Sequence, residues 1–555
     1  MGSGMLRRAT LISLILASVL QAEEFERAYK AFQGYIQRPS FKLRVRGIER
    51  LAATDDERAL KVLTKVYAKP PKAPKAQTQY IVASIAWDRL GEDQYLPIWN
   101  EWRLKQKKQK DAWLWYRALD VETVANGPAA AMRIANSKSN IFLRAAAVHA
   151  VGAFHEADIL TIIPGFLEKR PERGLDRSLL VEACGRALVR QINEAGTDDY
   201  RAAALKLMKQ FDLKETPKRT RWILARCFAR IFKTNTVYLN DSKPWRDMLV
   251  AKDASKVKVD ARYAPPKRPT FVGIEATGKR IVYVIDMSDS MLTPVDTMKF
   301  RGPVSGTRTK PEKKDKEDPN NSLPGARDLP WKKIKNRFDV AREYLILSLK
   351  NLEPDMHYSV IWFGDDAKFF KSTRGLTKAS PGAIKNTIAE LRAIRAGPKS
   401  DSRPHGTLRG KTNIHGGMRR AFMLKGKGLS KRFAYVDPAT FDGGCDTIFL
   451  LSDGDPSWDD WGQVDARDKG DRAGDPELGG GGDQSATQLE YSGPYANQRY
   501  LLEDVQRMNL FRQVEIHCIG IGEATQGFLS QISATGLGRV RMVGKGQSHK
   551  GQRKK

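Results

Sequence analysis

Cysteine and histidine are scarce in this 555-residue chain, with four of the former and seven of the latter. They form no CxxC, HExxH or clustered Cys/His spacing, so neither a structural zinc site nor a zincin hydrolase has support. Cys184, Cys227, Cys445 and Cys518 lie in or beside apolar segments rather than in a spaced framework, which predicts buried thiols and no disulfides. Long apolar runs are also missing. No stretch approaches the ~20 residues needed to span a bilayer, which excludes a polytopic membrane protein. Acid is outnumbered as well: 64 Asp+Glu against 95 Lys+Arg leaves a net charge of +31. At 41% hydrophobic residues the chain still has the material for ordinary cores, so it is not a disordered polycation.

One shorter apolar run, Ala9 to Leu20, follows Arg7-Arg8 and precedes Gln21-Ala22-Glu23. A charged n-region, a short h-region and a small-residue cleavage site predict a secretory signal peptide over residues 1–22. The expected destination is the periplasm, the cell surface or the medium, with no transmembrane segment after cleavage.

From Glu23 to about 235, apolar residues recur at three- and four-residue spacing, as in Ala59-Leu60-Val62-Leu63-Val66-Tyr67, which predicts helices. Several share an arginine before small or branched apolar residues: Leu43-Arg44-Val45, Leu143-Arg144-Ala145-Ala146 and Tyr200-Arg201-Ala202-Ala203. The pattern resembles HEAT-like α-solenoid repeats, which implies about five stacked helix pairs of about 40 residues over 23–235. Five of the eleven tryptophans fall between Trp87 and Trp115, and are expected to fill helix interfaces.

The helical period stops over 236–277, where Pro265-Pro266-Lys267-Arg268-Pro269 reads as a stiff basic linker. Beyond it, apolar strand-like runs (Ile281 to Ile285, Tyr358 to Phe363, Thr447 to Leu451, Val514 to Ile521) alternate with amphipathic helical stretches. Unbroken apolar strands in a βαβ rhythm predict an α/β doubly wound, Rossmann-like domain over 278–545, its parallel sheet covered on both faces. Three stretches rich in Pro, Gly, Lys and Asp (299–335, 396–410 and 455–495) read as insertions, and 546–555 as a basic tail.

Strand Ile281 to Ile285 runs into Asp286-Met287-Ser288-Asp289-Ser290, in which oxygen-bearing side chains at alternate positions can converge on one point. Such hard ligands suit magnesium or manganese. Lys411-Thr412-Asn413 opens a helix, and Ser452-Asp453-Gly454 closes another apolar strand. Asp286 and Asp453 thus both stand just past the carboxyl ends of strands, where open α/β sheets bind ligands.

Together, DxSxS, a separated Thr and a separated Asp resemble the metal-ion-dependent adhesion site of a von Willebrand factor type A domain. The resemblance extends to Val514-Glu515-Ile516-His517-Cys518-Ile519-Gly520-Ile521-Gly522 and the following Phe528-Leu529. It covers roughly Gly278 to Gly544. It implies that Asp286, Ser288, Ser290, Thr412 and Asp453 hold Mg2+ or Mn2+, directly or through water, and leave a position for an acidic side chain of a protein partner. Asp289 departs from the family, which often carries Gly there.

The expected function is that of an exported, non-enzymatic adhesion or scaffold protein. The alternative takes the charge as the functional feature: a basic envelope protein that binds an anionic polymer (polysaccharide, lipid or, least expected, nucleic acid) through Lys299 to Lys335 and the tail, with a vestigial metal site. A metal-dependent hydrolase has less support. His415 is the only histidine near the motifs and reads as a packing residue, and Ser452 lacks a GxSxG elbow.

Overall fold

A computed structural model describes residues 2–38, 41–71, 75–154, 167, 173–192, 197–251, 254–263, 265, 268–295, 328–394, 411–426, 428–430, 433–461 and 493–544. Most of the first and third expected insertions, all of the second, and the basic tail lie outside these residues. The chain divides into two compact units, one of 1–154 with 461–504, the other of 155–460 with 505–555. The division does not fall at the expected linker.

The first unit is helical: α1 (Gly2–Ile36), α2 (Phe41–Ala52), α3 (Glu57–Ala68), α4 (Lys75–Leu90), α5 (Leu96–Lys105), α6 (Ala112–Asn126), α7 (Ala129–Ala135) and α8 (Ile141–Val151). Helix α3 shows how the sequence sets an element. Asp56 accepts the Arg58 N–H at 2.7 Å as its N-cap, and Ala59, Leu60, Leu63, Val66 and Tyr67 form its buried face. Neighbours in sequence pack together, α1 on α2, α3 on α4, α5 on α6 and α7 on α8. Arg44 and Arg144 of the shared motif are buried, and Arg144 donates to the Ala135 carbonyl at 3.0 Å; Arg201, in the other unit, is exposed beside Asp198.

Trp99, Trp102, Trp113 and Trp115 are core residues, as expected. Trp99 stacks on Trp102 with ring centroids 4.9 Å apart and donates to the Leu90 carbonyl at 2.7 Å. Arg117 lies 4.7 and 4.3 Å from the Trp87 and Trp113 ring centroids, and its Nε donates to Glu503 at 2.9 Å. This cation–π and ion-pair cluster ties residues 493–504 to the helices of this unit. Among the described residues no helix is long and apolar enough to cross a membrane.

The second unit begins with α9 (Gly174–Arg190), α10 (Asp198–Asp212), α11 (Lys218–Ile231) and α12 (Lys243–Val250). Its sheet contains β1 (Arg280–Asp286), β2 (His357–Phe363), β3 (Ala367–Phe369), β4 (Thr377–Lys378), β5 (Thr447–Ser452), β6 (Glu515–Ile521) and β7 (Val540–Val543). The spatial order is β7-β6-β5-β1-β2-β3, with β4 also on β2. Pairs among β7, β6, β5, β1 and β2 are parallel, and β3 and β4 run antiparallel to β2. This is a doubly wound order whose direction of winding reverses between β1 and β5.

Helices cover both faces, which is why the strands are mostly apolar. Ile281, Tyr283, Ile285, Phe449, Leu451 and Ile519 form one core with Phe338, Leu345 and Leu349 of α13 (Arg337–Lys350), beside α14 (Pro381–Ala393). On the other face lie α15 (Ile414–Met423), against β1 and β2, and α18 (Gln526–Thr535), against β6. Between them in sequence come the short α16 (Ala439–Gly443) and α17 (Gln498–Asn509). Gly417 permits the close approach of α15, since a Cβ there would lie 2.7 Å from Val284 Cγ1.

Helix α11 closes the amino edge of the sheet. Trp222 Nε1 donates to Thr277 Oγ1 at 3.0 Å, Arg226 Nη1 donates to the Gln513 carbonyl at 2.7 Å, and Arg226 Nε lies 3.8 Å from Glu515. Arg219 Nη1 donates to both oxygens of the buried Glu182 at 2.7 Å, and its Nη2 donates to the Phe511 carbonyl at 2.8 Å. Helices that read in sequence as more of a repeat array are therefore part of the α/β unit. Their period reveals a buried face but not what covers it.

Candidate metal centre

The carboxyl edge carries the other polar cluster. β1 delivers Asp286, fully buried, at its last position, and β5 ends at Ser452 immediately before Asp453. Because β1 and β5 are the adjacent strands at the reversal of winding, the two aspartates flank the crevice that the topology opens.

Their side chains are joined through hydroxyls. Asp286 Oδ1 accepts the Ser288 N–H at 2.8 Å, and its Oδ2 accepts the Ser452 hydroxyl at 2.6 Å. Ser288 Oγ and Ser290 Oγ are 2.9 Å apart, and the Ser290 hydroxyl donates to Asp453 Oδ1 at 2.7 Å. Arg337, the first residue of α13, donates from Nη1 to Asp453 Oδ2 at 2.9 Å. Ser288 is buried, whereas Ser290 and Asp289 are exposed on the outer side. The additional carboxylate of Asp289 thus stands toward solvent.

Four of the five expected residues, Asp286, Ser288, Ser290 and Asp453, therefore form one hydrogen-bonded set. Thr412 is buried but its hydroxyl is not part of that set. Its segment is pinned instead to the loop after β5. The Thr412 N–H donates to Ser457 Oγ at 2.9 Å, the Ser457 N–H donates back to the Thr412 carbonyl at 3.1 Å, and Lys411 Nζ stands 3.5 Å from the Trp458 ring centroid. Asn413 caps α15 by accepting the Gly416 N–H at 2.7 Å, and its amide donates to Asp460 at 3.0 Å. His415 is buried in α15, as a packing residue should be.

Burial, reinforced by the charge of Asp453, pushes the Asp286 carboxyl up to about 7 despite the hydrogen bonds from Ser288 and Ser452. The Asp453 charge thus adds to the cost of ionising Asp286, a cost that a cation bound beside them would offset. Among the described residues no three His, Cys, Asp or Glu side chains gather where they could hold an ion. The donors here are two carboxylates plus hydroxyls, an all-oxygen set that suits a hard divalent cation. Adjacent ligands in a magnesium octahedron with bonds of about 2.0–2.1 Å are about 2.9 Å apart. The Ser288–Ser290 and Ser290–Asp453 spacings of 2.9 and 2.7 Å are already near that edge length.

Sequence reasoning missed three residues of this region. Arg337 and Ser457 carry no motif, and Ser452 shows in sequence only as a strand-end hydroxyl without a nucleophile elbow, whereas its hydroxyl holds Asp286.

No family model matches the chain, and no curated protein sequence matches it. Among solved structures, an aspartate-to-alanine mutant of the PilB minor pilin from Streptococcus sanguinis aligns with 48% of this chain at 15% identity and a TM-score of 0.26. The alignment spans 58% of that protein. A likeness this distant carries no argument about fold or activity.

Proposed function

We propose that residues 278–545 form a von Willebrand factor type A domain whose adhesion site binds Mg2+ or Mn2+ and captures an acidic side chain of a protein partner. The helical half is read with it as a HEAT-like platform, and the whole as an exported, non-enzymatic adhesion or scaffold protein. The observation that carries this reading is the hydrogen-bonded set of Asp286, Ser288, Ser290 and Asp453 at the reversal of winding. A bound divalent ion would supply a Lewis-acidic position for a carboxylate oxygen. The protein's residues hold and orient: Ser452 and the Ser288 N–H fix Asp286, Ser457 fixes the Thr412 backbone, and the exposed Ser290 faces the side from which a partner arrives. The burial of His415 and the engagement of Ser452 with Asp286 favour recognition over hydrolysis.

Calorimetric titration of the full chain with MgCl2 and MnCl2 tests this. Saturable binding by the wild type and its loss in Asp286→Ala are expected, with partner capture abolished by a chelator. Capture that ignores chelation and Asp286→Ala but falls steeply with salt would refute the reading in favour of an anionic polymer.

A further inference from the structure

Arg337 is seated with more care than a surface arginine needs. Its backbone N–H donates to the Thr293 carbonyl at 3.1 Å, which ties it to the loop that carries Ser288 and Ser290. Its side chain is 12% exposed, and Nη1 meets the fully buried carboxylate of Asp453 at 2.9 Å. Across from Asp453 the guanidinium lies on Gly522, just past β6, where φ is +64° and a Cβ would fall 2.7–2.8 Å from Cζ, Nε and Nη2. Any residue with a side chain at position 522 would push the guanidinium out of its seat.

The charges then determine what the site can accept. When both are ionised, as a bound cation would keep them, Asp286 and Asp453 bring two negative charges, and Arg337, a permanent cation, cancels one. A divalent ion would take the cluster from one net negative charge to one net positive charge, which a single incoming carboxylate would neutralise. We propose that Arg337 is the resident counter-cation of the adhesion site: it restrains metal binding and makes tight metal binding conditional on the partner's carboxylate. This rests on the metal-centre reading, and it gives two residues, Arg337 and Gly522, a role in selecting a mono-anionic acidic side chain. Capture of metal and capture of carboxylate are then a single coupled event.

The test measures Mn2+ affinity of the full chain by calorimetry, with and without acetate at matched ionic strength, for wild type, Arg337→Gln and Arg337→Lys. Acetate should tighten Mn2+ binding several-fold in the wild type. Arg337→Gln should bind Mn2+ at least ten-fold more tightly without acetate and lose most of the acetate effect, whereas Arg337→Lys keeps the charge and should stay near wild type. These opposite shifts separate the role from a structural one, because a misassembled site would lose affinity for both. Binding by Arg337→Gln alone also supports the proposal, as the limit of strong restraint. Wild-type affinity that Arg337→Gln leaves unchanged or weakens, with both proteins melting alike, overturns the role of Arg337 and leaves the metal centre standing. Should Arg337→Gln melt lower, the comparison passes to Arg337→Lys, and loss of the acetate effect there overturns the proposal. Absence of Mn2+ binding in every protein overturns the metal centre itself, and this inference with it.

Discussion

Asp286→Asn should stabilise the metal-free protein and remove its response to magnesium. Asparagine keeps the shape of aspartate: its Oδ1 can still accept the Ser288 N–H, and the Ser452 hydroxyl can accept from the new amide where it now donates to Oδ2. What disappears is a charge. In the folded protein the Asp286 carboxyl titrates at about 7 against an ordinary 3.8, raised by burial and then by Asp453. A raised carboxyl binds its proton more tightly when folded, so its ionisation destabilises the fold progressively as pH rises from about 4 to 7, and fully above that. At about 1.4 kcal/mol per unit, the cost at pH 7.5 reaches about 4 kcal/mol as an upper bound. Thermal melts of the full chain in a chelator should therefore place Asp286→Asn several degrees above wild type at pH 7.5, with the gap closing toward pH 4. Magnesium at about 100 times its Kd should raise wild-type stability by about 2.7 kcal/mol and leave the variant unmoved, so the two curves approach or cross. A variant that melts lower than wild type without metal, or that keeps the wild-type magnesium shift, would refute the argument that this site is a pair of carboxylates held ready for a cation.

Three other outcomes follow from the same structure. Burial would raise the Glu515 carboxyl, but His517, Arg226 and Thr277 outweigh it and hold it at about 2, so its stabilisation is complete above the ordinary 4.5 and is lost as pH falls toward 2. Chemical denaturation across that window should show a shallower loss for Glu515→Gln than for wild type; parallel curves would contradict the assignment. Arg219→Ala leaves the buried Glu182 without its ionic partner and should cost about 3–5 kcal/mol in urea denaturation, where a change below about 1 kcal/mol would show the pair to be dispensable. All four cysteines are free and buried, so a thiol-specific chromophore should react with none in the native protein and with four after unfolding. Burial also pushes the Cys227 thiol up to about 11, and rapid native labelling would disprove the packing around α11.

The α/β half was the more legible part of the chain because a strand buried on both faces is apolar at most of its positions. The expected Ile281 to Ile285, Tyr358 to Phe363 and Thr447 to Leu451 differ by only a residue or so at each end from the strands Arg280–Asp286, His357–Phe363 and Thr447–Ser452. Asp286, Ser288 and Ser290 were legible because they are close in sequence, and Asp453 because it follows a strand end. Arg337 and Ser452 were not, since each acts on a residue 116 or 166 positions away and no local pattern marks such a meeting. The same limit explains why α9 to α11 read as further repeats, and why α12 fell within the expected linker. An amphipathic stripe fixes a helix and its buried face, and Arg219 and Arg226 look like solvent-facing charges until the loop before β6 is folded against them.

The two edges of the sheet treat buried charge in different ways, and that contrast favours the carboxyl edge as the end to test for function. At the amino edge the acids are matched: Glu182 by Arg219 and Thr220, Glu515 by Arg226 and Thr277, and Asp446 by Arg280 and the N–H groups of Lys279 and Arg280. Leaving any of these unpaired would cost several kcal/mol, so matching is what structure alone requires. At the carboxyl edge Arg337 pairs with Asp453 alone, and Asp286 is met by neutral groups, the Ser452 hydroxyl and the Ser288 N–H. A fold that pairs its buried acids at one edge had the means to do so at the other, for instance with a second arginine in place of Ser452. The small hydroxyl residues there satisfy hydrogen bonds without supplying charge, so ionisation of Asp286 leaves one negative charge uncompensated in a crevice with Ser290 exposed at its outer side. That imbalance opposes stability in the isolated chain and would be resolved by a divalent cation, which makes the carboxyl edge the place to test for one.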